Sequence, residues 1–302
     1  MQRPVFRTAP SAGHTALMTD TALVLGAGGL TGVGWEIGIL YGLAEAGTDL
    51  STADLVIGSS AGAVVGAQLT SGLLTLSELY ERQLADPRGE IVSHLGAATL
   101  LRFVQAALTS RTPEAYAQKL ARMRPAAGGQ DEAARREVIA RRLVSHEWPA
   151  RPLRVTAVDA VTGELRVFEK DNGVPVVDAV AASCAVPGVW PAVTAEGRKW
   201  IDGGVHSCAN AQLAAGYARV VVIAPNAAGG GVLVSPRRQA ARLAAEGARV
   251  EVITPDAAAR KAFGRNVLDP ARRAPAARAG LAQASAHAEA VAALWTGGTM
   301  KA

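Results

Sequence analysis

Residues 54–69 read DLVIGSSAGAVVGAQL. The apolar run from Leu55 to Ile57 stops at Gly58, two serines follow, and from Ala61 the chain reads as a helix. Gly58, Ser60 and Gly62 fit G-x-S-x-G, the pattern of a nucleophilic serine on a sharp strand-to-helix turn. Such a serine needs its hydroxyl at the carboxyl end of a strand, on a turn too tight for side chains nearby. Glycine on either side removes that clash. The start of the next helix adds the positive end of its dipole. Ser59 does not fit, because its neighbours two positions away are Ile57 and Ala61. A plain Gly/Ser turn in an alanine-rich chain is the alternative. Ser60 also needs a base, and none of the five histidines stands in evident catalytic company.

Upstream, Thr21–Gly26 reads as a short buried strand, followed by GAGGLTGVG and then WEIGILYGLAEAG, a helix closed by Gly47. Two successive strand–glycine-turn–helix units predict a parallel sheet with helices on its faces. The loop Gly26–Gly34 has two readings. A Rossmann-like nucleotide-binding module would use it as G-x-G-x-x-G, but Thr31 stands at the third glycine position. The second strand would also end in an acid for the ribose, and it ends in Gly58-Ser59-Ser60. As an oxyanion hole the loop fits better: the backbone N–H groups of Gly28, Gly29 and Leu30 can converge on an acyl oxygen.

Downstream, residues 76–150 carry four helical patterns separated by Pro87, Pro113 and RPAAGGQ, which predicts a helical cap inserted over the sheet. PLRVTAVDAVTGELRVFEKD predicts a β-hairpin turning at Thr162-Gly163. VPVVDAVAASCAVPGVWPAV predicts a helix broken by Pro187, then a loop. RKWIDGG is a strand ending in a glycine turn. ARVVVIAP and RVEVITP are two more buried strands around the helix SPRRQAARLAAEG, and Pro270–Trp295 is mostly helical. Asp202 closes the WIDGG strand, and the two glycines after it let another backbone or a substrate approach. Asp-Gly-Gly is also ordinary turn chemistry.

The glycine loop, the serine turn and the Asp-Gly-Gly turn, in this order, are less expected by chance than any one alone. Together they resemble the patatin-like phospholipases, over roughly Leu23 to Pro225. GAGGLTG is similar to that family's oxyanion loop, GSSAG to its serine turn, AASCAVPGVWPAV to its Pro-Gly-x-Phe-Pro-Pro segment, and DGG to its aspartate motif. The resemblance implies a three-layer α/β/α sandwich and a Ser-Asp dyad that works without histidine. It makes Ser60 the nucleophile, Asp202 the general base, and Gly28, Gly29 and Leu30 the oxyanion hole. Three departures stand out: Thr31 replaces the family's basic residue, Trp190 its Phe, and VHSCANAQ its N-x-P after the aspartate. A Ser-His-Asp esterase is the rival. His206 and His287 would be its bases, His94 and His146 lie in the helical segment, and His14 lies in the leader. Only one strand precedes the serine strand here, whereas α/β-hydrolases reach theirs after several.

Composition sets the outer limits. The 302 residues are 49% hydrophobic, enough for one large domain or at most two. Residues 1–20 read as a flexible leader and 21–302 as one acyl-hydrolase domain, with the cap insertion near 76–150. No stretch reaches the roughly 18–20 apolar residues of a membrane span. The net charge of +5 is spread through alanine-rich helices such as DEAARREVIARRL, where acids and bases alternate as on a solvated surface. With 4% aromatics and no basic-aromatic stripe, nucleic acid is not an expected partner. Cys184 and Cys208 make neither a metal spacing nor a disulfide framework. The expectation is a cytoplasmic hydrolase of lipid acyl esters, of phospholipid or lysophospholipid type. It needs no cofactor or metal, meets membrane surfaces transiently, and its oligomeric state is open.

Overall fold

The computed structural model describes residues 19–87, 90, 93–125 and 131–296; most of the expected leader lies outside them. The chain opens with β1 (Thr19–Leu25), α1 (Gly29–Glu45), β2 (Leu55–Gly58) and α2 (Ala61–Ser71). Four helices follow: α3 (Leu76–Leu84), α4 (Ala97–Thr109), α5 (Pro113–Ala121) and α6 (Glu132–Arg142). Then come β3 (Leu153–Asp159), β4 (Leu165–Phe168), α7 (Val176–Ser183), β5 (Val193–Ala195) and β6 (Arg198–Asp202). The chain continues with β7 (Tyr217–Ile223), α8 (Pro236–Ala245), β8 (Arg249–Ile253) and α9 (Ala257–Phe263). It closes with α10 (Arg273–Ala284) and α11 (Ala288–Trp295).

The strands form one mixed sheet in the order β5-β6-β3-β2-β1-β7-β8, with β4 also on β3. β1, β2, β3, β7 and β8 run parallel, and β4, β5 and β6 join antiparallel. Side chains alternate across the sheet. Leu23 and Leu25 of β1 enter the core under α1, α2, α7 and α10, while Ala22 and Val24 face α8. Val158 and Ile201, further along the second face, meet α4 and α5. This is the expected three-layer α/β/α arrangement.

Three local expectations differ from the structure. The helix after β1 begins at Gly29, inside the glycine loop, because glycines at 34, 38 and 42 form a bare stripe along α1. That stripe packs against the backbone of α10 at Arg273, Ala277 and Leu281. The helix over VVDAVAAS ends at Ser183, before Pro187, whose ring disfavours helical geometry at the residue preceding it. Val193–Ala195 is a strand, not loop. Glu196 and Gly197 both take positive φ (52° and 69°) and turn it back onto β6 with Val193 opposite Trp200.

The register of β3 brings the site together. β2 pairs with its first half, ending with Gly58 opposite Val155. β6 pairs with its second half, with Asp202 opposite Ala157. β4 occupies residues 155–158 from the other edge. So β2 and β6 share one edge of β3 end to end, and the residues leaving β2 face those ending β6.

Candidate active site

Where β2 ends, the chain is pinned from several sides. The Ser59 N–H donates to the Leu25 carbonyl at 3.1 Å, and the Gly62 N–H to the Gly26 carbonyl at 3.0 Å. The Ser60 N–H donates to Ser183 Oγ of α7 at 2.8 Å. Held in this way, Ser60 adopts φ 53° and ψ −110°, a region that costs a non-glycine residue of order 1–3 kcal/mol. Ser59 points the other way: its hydroxyl lies 2.7 Å from Thr156 Oγ1 and accepts from Asn210 Nδ2 at 2.9 Å. It ties the turn to β3 and leaves Ser60 to face the cavity.

Asp202 is buried. Its Oδ1 accepts from the Gly204 N–H at 2.7 Å. Burial pushes its carboxyl up to about 6, against the opposing pull of the Ser60 hydroxyl, the Gly204 N–H and the more distant charge of Arg135. The Ser60 hydroxyl is thus a close neighbour of the carboxylate, yet Oδ2 completes no hydrogen bond of standard geometry. A carboxylate with one unsatisfied oxygen and a pKa displaced toward neutrality is suited to accepting a proton.

The glycine loop borders the same space. Gly28 caps α1, and Gly29 has φ 63°. Among the described residues, no acceptor takes the N–H groups of Gly28, Gly29 or Leu30. The next two are occupied, Thr31 by the Val267 carbonyl and Gly32 by the Gly28 carbonyl. Thr31 is fully buried and turns its hydroxyl toward the Gly28 carbonyl. α1 and α2 therefore both present helix starts to the site, where positive partial charge gathers.

Ser60, Asp202, Gly28 and Gly29 line one cavity of about 500 Å³. Its remaining wall is largely apolar and includes Leu100, Phe103, Val104 and Ala107 of α4. The four described histidines stand elsewhere. His206 Nδ1 is 2.9 Å from Asn210 Oδ1, and His287 Nδ1 is 3.2 Å from Glu251. His94 contacts Asn266, and His146 the Ala140 carbonyl; His14 lies outside the described residues. Burial pushes the thiols of Cys184 and Cys208 up to about 12 and 11, so neither is a thiolate at neutral pH.

With this geometry in view, residues 23–215 match the model of the patatin-like phospholipase family. The chain belongs to that family. Membership among the patatin-like phospholipases supports a lipid acyl hydrolase. No curated protein matches the sequence. The fold is similar to that of VipD from Legionella pneumophila, at 13% identity and a TM-score of 0.43, over 90% of this chain and 67% of that one. It is also similar to the type III effector protein ExoU, at 18% identity and a TM-score of 0.38, over 90% of this chain and 53% of that one. This patatin-like chain thus spans about two thirds of the first and about half of the second. Among the described residues, no helix is long and apolar enough to cross a membrane.

Reading α6 as a solvated face was incorrect for two of its arginines. Arg135 is 3% exposed, and Arg142 turns inward to Glu90 at 2.6 Å. The signal was present: 135, 138, 139 and 142 follow the i, i+3, i+4, i+7 spacing of one helix face, and the middle two are Val and Ile. Asn210, Ser183 and Thr156, which brace the two turns, carried no comparable signal. Each is a single polar residue that reaches the site through a partner far away in sequence: Ser59 for Asn210 and Thr156, Ser60 for Ser183.

Proposed function

We propose that the protein hydrolyses acyl esters of lipids through an acyl-enzyme on Ser60, with Asp202 as general base. The observation that carries this reading is the meeting of a strained serine, a buried carboxylate with a free oxygen and the unclaimed N–H groups of Gly28 and Gly29 on one apolar cavity, with the unclaimed N–H of Leu30 next in the chain. Asp202 Oδ2 takes the hydroxyl proton as Ser60 Oγ attacks the ester carbonyl. The carbonyl oxygen becomes an oxyanion held by the N–H groups of Gly28, Gly29 and Leu30. Collapse of the tetrahedral species expels the alcohol, which takes the proton back from Asp202. Water, deprotonated by the same carboxylate, then releases the fatty acid and frees Ser60.

The cavity supports a long acyl chain as substrate, because its volume and wall suit hydrocarbon. Residues 76–150 are read as a cap within a single hydrolase domain over 21–302, with α4 beside the cavity mouth. Leu101, Val104 and Leu108 lie on one side of α4 and are 67%, 55% and 76% exposed. This apolar row supports transient contact with a membrane surface by a protein otherwise in the cytoplasm.

The test is labelling with an alkyl fluorophosphonate followed by peptide mass mapping, with hydrolysis of p-nitrophenyl esters of graded chain length alongside. The expected adduct is on Ser60, and the expected rates rise from acetate to longer chains. An adduct on Ser59, no adduct on folded protein, or strict acetyl preference would overturn the reading.

A further inference from the structure

Among the described residues, no carboxylate forms a salt bridge with Arg135, although Glu90 and Asp202 act on its charge from further off. Its Nε and Nη1 are buried without a hydrogen-bond partner. Its guanidinium carbon stands 4.0 Å from the centroid of the Trp190 ring, an arrangement that orients the group without neutralising it. The nearby carboxylate, Glu90, is already taken by Arg142 at 2.6 Å and Arg273 at 3.5 Å. Among the described residues, no acid pairs with Arg135. Burial pushes the guanidinium down to about 9, with Arg142 adding to the effect, so it remains charged at neutral pH. Buried donors are nearly always satisfied. An isolated buried cation is costly enough to mark a place where something else supplies the anion.

Arg135 and Trp190 line a second cavity, of about 30 Å³, with Ser60 on its wall. That volume holds roughly two water-sized atoms, the scale of the terminal oxygens of one oxyanion. Gly29, Ser60, Val186 and Leu268 line both this cavity and the large apolar one. The reactive serine therefore sits between a hydrocarbon-lined space and a cation. We propose that Arg135 binds an oxyanion substituent, phosphate or carboxylate, on the ester that Ser60 attacks, while the acyl chain fills the apolar cavity. This rests on the hydrolase reading above. The planar fork of a guanidinium matches two oxygens of such a group. It would also supply, from α6, the positive charge that the glycine loop lacks at Thr31.

The test separates binding from turnover. In Ser60→Ala protein, calorimetry compares 1-octanoylglycerol with 1-octanoylglycerol 3-phosphate, and the methyl ester of O-octanoyl-lactate with its free acid. At least one anionic ligand is expected to bind about tenfold tighter than its neutral counterpart, and the arm that shows it identifies phosphate or carboxylate. Arg135→Met in the same background should bring that ratio to about one, and Arg135→Lys, a point charge without the fork, should leave it intermediate. Arg135→Gln replaces Arg135→Met if the latter does not fold by circular dichroism. A ratio near one in both arms before the arginine is changed, or one that survives its replacement, overturns the proposal. Failure of the hydrolase reading has its own signature: wild-type protein would give no fluorophosphonate adduct on Ser60 and no turnover of these esters, whatever the binding ratios.

Discussion

The guanidinium of Arg135 stands over the indole of Trp190 inside the protein, 4.0 Å from the ring centroid, and among the described residues no carboxylate forms a salt bridge with it. The contact with the ring recovers about 2 kcal/mol, while removing an arginine from water costs several. Arg135→Met keeps the apolar stem and removes the charge. The expected result is unchanged or higher stability, by up to about 2 kcal/mol in urea denaturation. A loss of more than that would mean the arginine is a structural element.

Asp202→Asn should lose at least about a hundredfold in kcat/KM, the lower range for a positioned general base. In wild type, kcat/KM should rise with pH through about 6, as the buried carboxyl ionises. Stability should move the opposite way. The folded pKa of Asp202 lies above its unfolded value. Its contribution to stability is therefore fully present below about pH 4 and is lost as pH rises through about 6. Relative to wild type, Asp202→Asn should gain up to about 3 kcal/mol at pH 8 and little at pH 3.5. Denaturation curves at the two pH values check this, and equal differences at both would contradict it.

Ser60 carries its strain in the backbone, so two inactive variants should differ. Ser60→Gly relaxes the positive φ and Ser60→Ala retains it. The glycine variant should be the more stable by about 1 kcal/mol, the reverse of the usual order for these residues. Matched thermal melts decide it.

Asn210 braces both turns at once. Its Nδ2 lies within hydrogen-bond reach of Ser59 Oγ at 2.9 Å, the Ser207 carbonyl at 3.0 Å and the Gly203 carbonyl at 3.1 Å. The residue itself has φ 55°, which asparagine tolerates better than alanine. Asn210→Ala should cost about 2–4 kcal/mol by leaving buried acceptors unpaired and a non-glycine residue in that conformation. Activity should fall with it, since Ser59 and Gly203 adjoin the proposed nucleophile and base. A stability change under about 0.5 kcal/mol would show that other contacts hold the turns.

Much of this architecture could be read from the chain because tight turns declare themselves. A strand that meets G-x-S-x-G, or ends in Asp-Gly-Gly, has few conformations open to it, and the β1–α1 and β2–α2 units followed directly. The glycines of α1 misled about where the helix starts, because loop and close helix packing call for the same residue. Arg135 was obscured by composition. In an arginine-rich helix an inward cation looks like its outward neighbours until the apolar spacing around it is examined. The strand Val193–Ala195 was missed because its turn uses Glu196 at positive φ, where glycine or asparagine is the usual signal.

β3 serves as a common ruler for the site. Ser60 and Asp202, the proposed dyad, both take their positions from its register, through Gly58 opposite Val155 and Asp202 opposite Ala157. The long excursion from α3 to α6 leaves and returns without setting that spacing, whereas the one from β4 to β5 helps to hold it, since Ser183 Oγ accepts from the Ser60 N–H and the Ala185 carbonyl from the Asp202 N–H. Lengthening or rebuilding the α3-to-α6 excursion away from the walls of the two cavities therefore leaves the distance between serine and aspartate unchanged. New ester preferences could arise in that segment without the proposed Ser60–Asp202 pair having to be reassembled.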